Sequence, residues 1–243
     1  HFNLNTQWRG GWNAGASLLI EDFGYEPALY RNYALLNPDG SLSPFVGVPR
    51  IPNRDYVLTV NSPAIGIGSL NGFLLWGHDE NFPEWASGDL LWLTAGLTLQ
   101  PTEQLRANFS YNRTHVNRRN DGSRVMLRQI PRLRLDYQLS RALQVRLITE
   151  YPMEEQDDLR DNSRTELPIV FVTPGGYERA TAYRDARLRT DLLLSYFPNP
   201  GTVIYLGYGA TRQEPSDPTA LRSLTRVTDG FFLKLSDLFR LDW

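Results

Sequence analysis

Residues 124–139 read RVMLRQIPRLRLDYQL, and the spacing of their arginines decides the fold class. Counted in twos, Val125, Leu127, Leu133, Leu135 and Tyr137 share one side, and Arg124, Arg128, Arg132, Arg134, Asp136 and Gln138 share the other. A strand sends successive side chains to opposite faces, so this period sorts the segment into an apolar face and a charged one. A helix would scatter Arg128, Arg132 and Arg134 around its axis. Pro131 lacks a ladder donor, so a bulge is expected there.

The same phase recurs on both sides of this stretch. In 104–114, Leu105, Ala107, Phe109 and Tyr111 oppose Arg106, Asn108, Ser110 and Asn112. In 142–151, Leu143, Val145, Leu147 and Tyr151 oppose Gln144, Arg146 and Glu150. In 186–197, Leu188, Leu192, Leu194 and Tyr196 oppose Arg187, Arg189, Asp191 and Ser195. The final segment, DGFFLKLSDLFRLDW (229–243), fits two periods. A helix stripe would join Phe231, Leu235, Leu238 and Phe239, whereas a strand would put Phe231, Leu233, Leu235, Phe239, Leu241 and Trp243 on one face. Four preceding segments in period two carry it to the strand reading. With 2–8, 12–21, 55–62, 68–78, 88–99 and 202–212, eleven strands are expected.

Composition narrows the class further. The 243 residues carry a net charge of −2, which gives no chain-wide attraction to nucleic acid. There are no cysteines, so disulfides and thiolate metal sites are excluded. Of the 25 basic residues only Lys234 is lysine. No apolar run is long enough for a transmembrane helix, yet aromatics reach 12% and mean hydropathy is negative, −0.39. A membrane β-barrel has that profile, because half of each strand faces a polar interior.

The connections point the same way. Short turns at 9–11, 62–66, 100–104, 139–142 and 198–201 alternate with long polar stretches at 22–54, 79–87, 115–123, 153–185 and 213–228. Outer-membrane barrels sort their loops by parity in this manner, and a sandwich has no reason to. The expected fold is therefore all-β: an antiparallel up-and-down transmembrane β-barrel, or the C-terminal part of one, with about 10–12 strands in a single domain over 1–243. An odd count makes the first and last strands point the same way. Either strands precede His1, or one strand was missed in LSPFVGVPRI or ELPIVFVT.

Several blocks carry a resemblance: LTAGLTLQPTEQLRANFSYNRTHVNRRNDGSR, IPRLRLDYQLSRALQVRLITEY, RTDLLLSYFPNPGTVIYLGYG and DGFFLKLSDLFRL. Over about residues 88–243 they resemble the C-terminal barrel region of a bacterial family of unknown function. In that family, the resemblance implies, the barrel follows an N-terminal carbohydrate-binding-like β-sandwich. Asp237 departs from the pattern, standing where an aromatic is expected. The last strand also resembles the terminal signal read by the outer-membrane barrel-assembly machinery. That role would fall to Phe231, Leu233, Leu235, Phe239, Leu241 and Trp243.

Function is expected to reside on the polar strand faces. Arg106, Arg124, Arg128, Arg132, Arg134, Arg146, Arg187, Arg189, Lys234 and Arg240 would face a lumen with Asp136, Glu150 and Asp191. One reading is a basic interior that selects anions. The other is a salt-bridged filling, with Asp136 beside Arg146 and Glu150 beside Arg187 or Arg189. Asp157, Asp158 and Asp161 are weak Ca²⁺ candidates without EF-hand spacing. No nucleophile–base pairing is legible, so no enzyme and no cofactor is expected. A barrel hydrolase would require His78 to meet a carboxylate or hydroxyl at the rim. The expected role is transport or anchoring in a bacterial outer membrane, in contact with its lipid and with further strands or subunits. The alternative is a surface β-protein binding polysaccharide or protein through its long loops.

Overall fold

The computed structural model describes residues 1–214 and 224–237. Its strands in chain order are β1 (Phe2–Gln7), β2 (Asn13–Gly24), β3 (Tyr33–Leu36), β4 (Leu42–Pro44), β5 (Arg50–Asn61), β6 (Gly68–Asn81), β7 (Ala86–Leu99) and β8 (Leu105–Arg118). They continue as β9 (Arg124–Ser140), β10 (Leu143–Glu150), β11 (Met153–Gln156), β12 (Ile169–Thr173), β13 (Gly176–Arg179), β14 (Tyr183–Tyr196), β15 (Val203–Gln213) and β16 (Thr225–Ser236). One large antiparallel sheet of twelve strands follows the order β1-β2-β5-β6-β7-β8-β9-β10-β14-β15-β16, with β11 inserted between β9 and β14 beyond the end of β10. All eleven expected segments lie on that path. The C-terminal segment is a strand as far as Ser236, paired to β15.

The strands of the missing-strand alternative do exist, in another place. β3, β4, β12 and β13 form a separate four-stranded sheet, ordered β13-β12-β3-β4. The path therefore stays odd, and β1 and β16, at its two ends, run in the same direction. The turns at one end of the large sheet, here called the lower end, are all short. At the upper end two of the expected long stretches, 79–87 and 115–123, are largely strand and close in turns at 82–85 and 119–123, so loop length does not follow parity strictly. The long upper connections among the described residues are 25–49 and 151–182.

The bulge expected at Pro131 is not there. Pro131 stays in register opposite Tyr111, and the shift falls between Val116 and Asn117. The physical reason lies in the neighbouring strand. The Pro131 carbonyl accepts from the Tyr151 amide at 3.0 Å, and its missing N–H faces that same side. That bond keeps the pair in register, and the second bond of the pair, from residue 131 to the Tyr151 carbonyl, is given up without a bulge.

Register fixes which residues share a face, because cross-strand partners point the same way. One face of the large sheet is apolar on every strand. On β9 it shows Pro131, Leu133, Leu135, Tyr137 and Leu139; on β8 Leu105, Ala107, Phe109 and Tyr111; on β7 Leu91, Leu93, Ala95, Leu97 and Leu99. It continues through Leu188, Leu192 and Leu194 on β14 to Phe231, Leu233 and Leu235 on β16. Four or five alternate residues cover roughly 20–26 Å of strand at ~3.3 Å per residue. Above this belt the same face turns polar, at Asp22, Arg54, His78 and Asp89, and on β8 the change comes earlier, at Arg113 opposite Leu93. At the border Tyr56 stacks on Trp76 with ring centroids 5.5 Å apart, and Tyr208 meets Phe231 at 4.6 Å.

The four-stranded sheet caps the opposite face at its upper end. Tyr30, Leu35, Phe45, Leu159 and Ile169 pack there against Ile51, Trp85, Val116 and Val125 in one buried cluster. Burying such side chains stabilises by about 1.5–3 kcal/mol each. A Cβ on Gly47 would collide with the rings of Trp85 and Tyr25, so this crossing requires glycine. Long connections with short continuous apolar runs (ALL at 34–36, IVFV at 169–172) thus fold back instead of remaining open loops.

Candidate functional site

Below the cap, the face opposite the belt is charged on its C-terminal strands. In register across β8, β9 and β10 stand Arg106, Asp136 and Arg146, then Asn108, Arg134 and Ile148, then Ser110, Arg132 and Glu150. Asp136 accepts from Arg134 Nε and Arg146 Nε, each at 2.7 Å, so one carboxylate is clamped by two guanidiniums. Arg132 approaches Glu150 only to 3.9 Å. These side chains and the lower turns border a cavity of about 590 Å³. Four arginines line it against Asp136 and the turn carboxylate Glu103, so positive charge is in excess. The N-terminal half of the same face is uncharged in its lower part, with Asn3, Asn5, Asn13, Thr59, Asn71 and Thr94 and with Phe73 against Trp92 at 5.4 Å, and acidic higher up, where Glu21, Asp55 and Asp79 share the face.

The other expected residues are placed as follows. Arg189 lies opposite Glu150, and Asp191 opposite Ile148, on the charged face. Arg187 pairs with Asp185 at 2.9 Å, two residues away on its own strand. Arg128 lies opposite Thr114 and Glu154, and Lys234 opposite Tyr205. Arg124 leaves the set. The shift at Val116/Asn117 puts it opposite Asn117, out of phase with Arg128, and it pairs with Glu155. Phe231, Leu233 and Leu235 lie on the apolar face and are 78%, 74% and 68% exposed. Phe239, Arg240, Leu241 and Trp243 lie outside the described residues. Asp237 accepts a hydrogen bond from Thr202 at 2.5 Å, at the lower end.

Two upper-end clusters were missed. Arg118, in phase with Arg106 on β8, is fully buried and donates to Glu84 (2.6 Å), Asp157 (2.8 Å) and the Asp158 carbonyl (2.7 Å). Glu84 also accepts from Asn81 and from the Arg160 amide, so it ties three connections together. Alternation could have flagged Arg118; nothing local marks Glu84, which sits on a short turn. Burial works against ionising Asp157, but the Arg118 hydrogen bond outweighs it and holds the carboxyl below the usual range. The second cluster joins Asn53, Asp79 and Glu80, with Asn53 donating to both carboxyls. Burial, then the Asp79 contact, push Glu80 up to about 7. Burial likewise raises the Tyr30 phenol, which donates to the Phe82 carbonyl at 2.8 Å.

The weak Ca²⁺ candidates do not converge. Asp157 is taken by Arg118, Asp158 accepts from the Ala182 amide at 2.6 Å, and Asp161 holds the Ser163 and Thr165 hydroxyls. Among the described residues no group of three acidic or histidine side chains is arranged to hold a metal ion. His78 does meet a carboxylate: its Nδ1 lies 2.7 Å from Asp89 Oδ1. The pocket around this pair is lined by Arg54, Tyr56, Trp76, His115 and Asn117 and contains no serine, threonine or cysteine to act as nucleophile.

No family model matches the chain, and neither does any curated protein or solved structure.

Proposed function

We propose that the chain is an outer-membrane β-barrel, or the C-terminal part of one, that acts without catalysis as a capped passage for small anionic solutes. The observation that carries this reading is the two-faced sheet. Every strand of the path gives its alternate residues to an apolar belt of about the ~25 Å height that a membrane barrel needs, and the other residues to polar groups. On this reading the charged face lines the lumen, where rings of arginine favour anions. The belt meets lipid, and Phe231, Leu233 and Leu235 belong to the strand that the assembly machinery reads. The four-stranded sheet stands over the outer mouth.

The test is insertion followed by conductance. The protein should need detergent to stay monodisperse and should migrate faster on a gel when unheated. In a planar bilayer under a salt gradient, the reversal potential should lie on the chloride side. A chain monodisperse in plain buffer, with no heat-dependent shift, overturns the membrane reading. A cation-selective current overturns the anionic one.

A further inference from the structure

We infer that the apolar face of β2, β5, β6 and β7 seats one anionic, phosphate-bearing lipid of the bilayer. Two depressions lie on consecutive outward positions of these strands. The lower, about 480 Å³, is an apolar groove with small residues Ala14, Ala16 and Gly72 at its floor and Leu58, Leu74 and Leu93 as walls. The upper, about 460 Å³, is bordered by Arg54, Tyr56, Trp76, His78 and His115. Register makes them one track: Arg54, Tyr56, Leu58 and Val60 succeed one another down β5, beside His78, Trp76, Leu74 and Gly72 on β6.

The chemistry changes along the track as it does along a lipid. From Tyr56 to Val60 is about 13 Å of strand, close to half of the ~30 Å hydrocarbon core. The stacked pair Tyr56–Trp76 marks the level where amphipathic rings sit between acyl chain and headgroup. Immediately above it stands Arg54, which has no carboxylate within salt-bridge distance among the described residues, while His78 holds Asp89 aside at 2.7 Å. A guanidinium facing outward over an apolar groove matches a phosphate in geometry as well as charge. A zwitterionic headgroup gains less from a site whose free charge is positive.

This inference rests on the membrane reading, and the experiment separates the two. Detergent-solubilised protein is titrated with phosphatidylglycerol or phosphatidylcholine, and bound lipid is counted by native mass spectrometry. Wild type should retain one phosphatidylglycerol in preference to phosphatidylcholine. R54Q should lower phosphatidylglycerol retention about fivefold. A16L, which fills the groove from the lipid side, should lower retention of both lipids. R9Q, in a lower turn, should change neither, and unheated gel migration verifies that each variant is folded. Equal retention of the two lipids, or an R54Q protein that binds as wild type does, overturns the seat. So does displacement by glycerol 3-phosphate, which would leave the groove without a role. Lipid-free dimers abolished by A16L would assign the groove to a second copy and overturn it too. A chain that needs no detergent fails at the earlier step instead.

Discussion

Arg118 and Glu84 stand 34 residues apart in the chain and meet at 2.6 Å, with side chains only 1% and 0% exposed. One is the last residue of β8 and the other lies in the turn between β6 and β7. Asp157 and the Asp158 carbonyl complete the set from the connection that forms the cap. A buried ion pair is weak evidence of net stability, but removing one partner strands the other. Glu84→Gln should therefore destabilise the capped state by about 3–5 kcal/mol. Limited proteolysis should show it, with cuts appearing within 157–168 while the unheated gel shift survives. A variant as resistant as wild type would show that the knot does not hold the cap.

Glu80 gives the cap a pH dependence whose sign follows from its raised pKa. The folded state holds, up to about 7, a proton that the unfolded carboxyl releases near its ordinary value of 4.5. Stability from this group is thus fully present below 4.5 and lost as pH rises through 7. Asp157 and Asp121 act in the opposite sense at lower pH. Both are held below the ordinary 3.8, Asp121 first by the Ser123 hydroxyl and Asp157 by Arg118 against its burial, so their contribution falls away in acid. Cap protection should peak in mildly acidic buffer. Glu80→Gln should flatten the part of the decline nearest pH 7 and leave the acid limb unchanged. An unaltered profile would rule Glu80 out as its source.

Asp136 is the carboxylate that offsets Arg134 and Arg146. Asp136→Asn adds one positive charge to the cavity without altering its size. The anion-to-cation permeability ratio should rise, about fivefold if the ion passes within ~4 Å in a watery lumen. Reversal potentials in a salt gradient measure it. No shift would mean that ions do not pass this cavity.

The two faces should respond oppositely to the same substitution. Leu135→Arg, mid-belt on β9, should cost about 2–4 kcal/mol of folding free energy in vesicles. Asn108→Arg, the neighbouring position on the other face, should cost little. Denaturant titration of vesicle-inserted protein compares them. Equal costs would place lipid on neither face in particular.

Eleven strands and their two faces were legible in the residues, because alternation is a local property that each segment states for itself. RVMLRQIPRLRLDYQL separates its arginines from its leucines whatever its neighbours are. Loop parity was legible only in part, because 79–87 and 115–123 carry polar residues that extend strands β6 to β9 and leave short turns between them. Asp136 between arginines could be foreseen from phase alone, since partners across β9 and β10 need only share a face.

Tertiary structure alone decided where the long connections went. ELPIVFVT reads as a strand, but which sheet it joins depends on Tyr33–Leu36, more than a hundred residues earlier, and on Trp85 beneath both. It moved the bulge from Pro131 to the level of Val125, because the Tyr151 amide still bonds the Pro131 carbonyl and holds the register there. That shift took Arg124 out of phase with Arg128. It also assembled Glu84, Arg118 and Asp157 from three connections. Periodicity records the environment of one segment at a time, whereas pairing and burial are free energies of segments brought together from far along the chain.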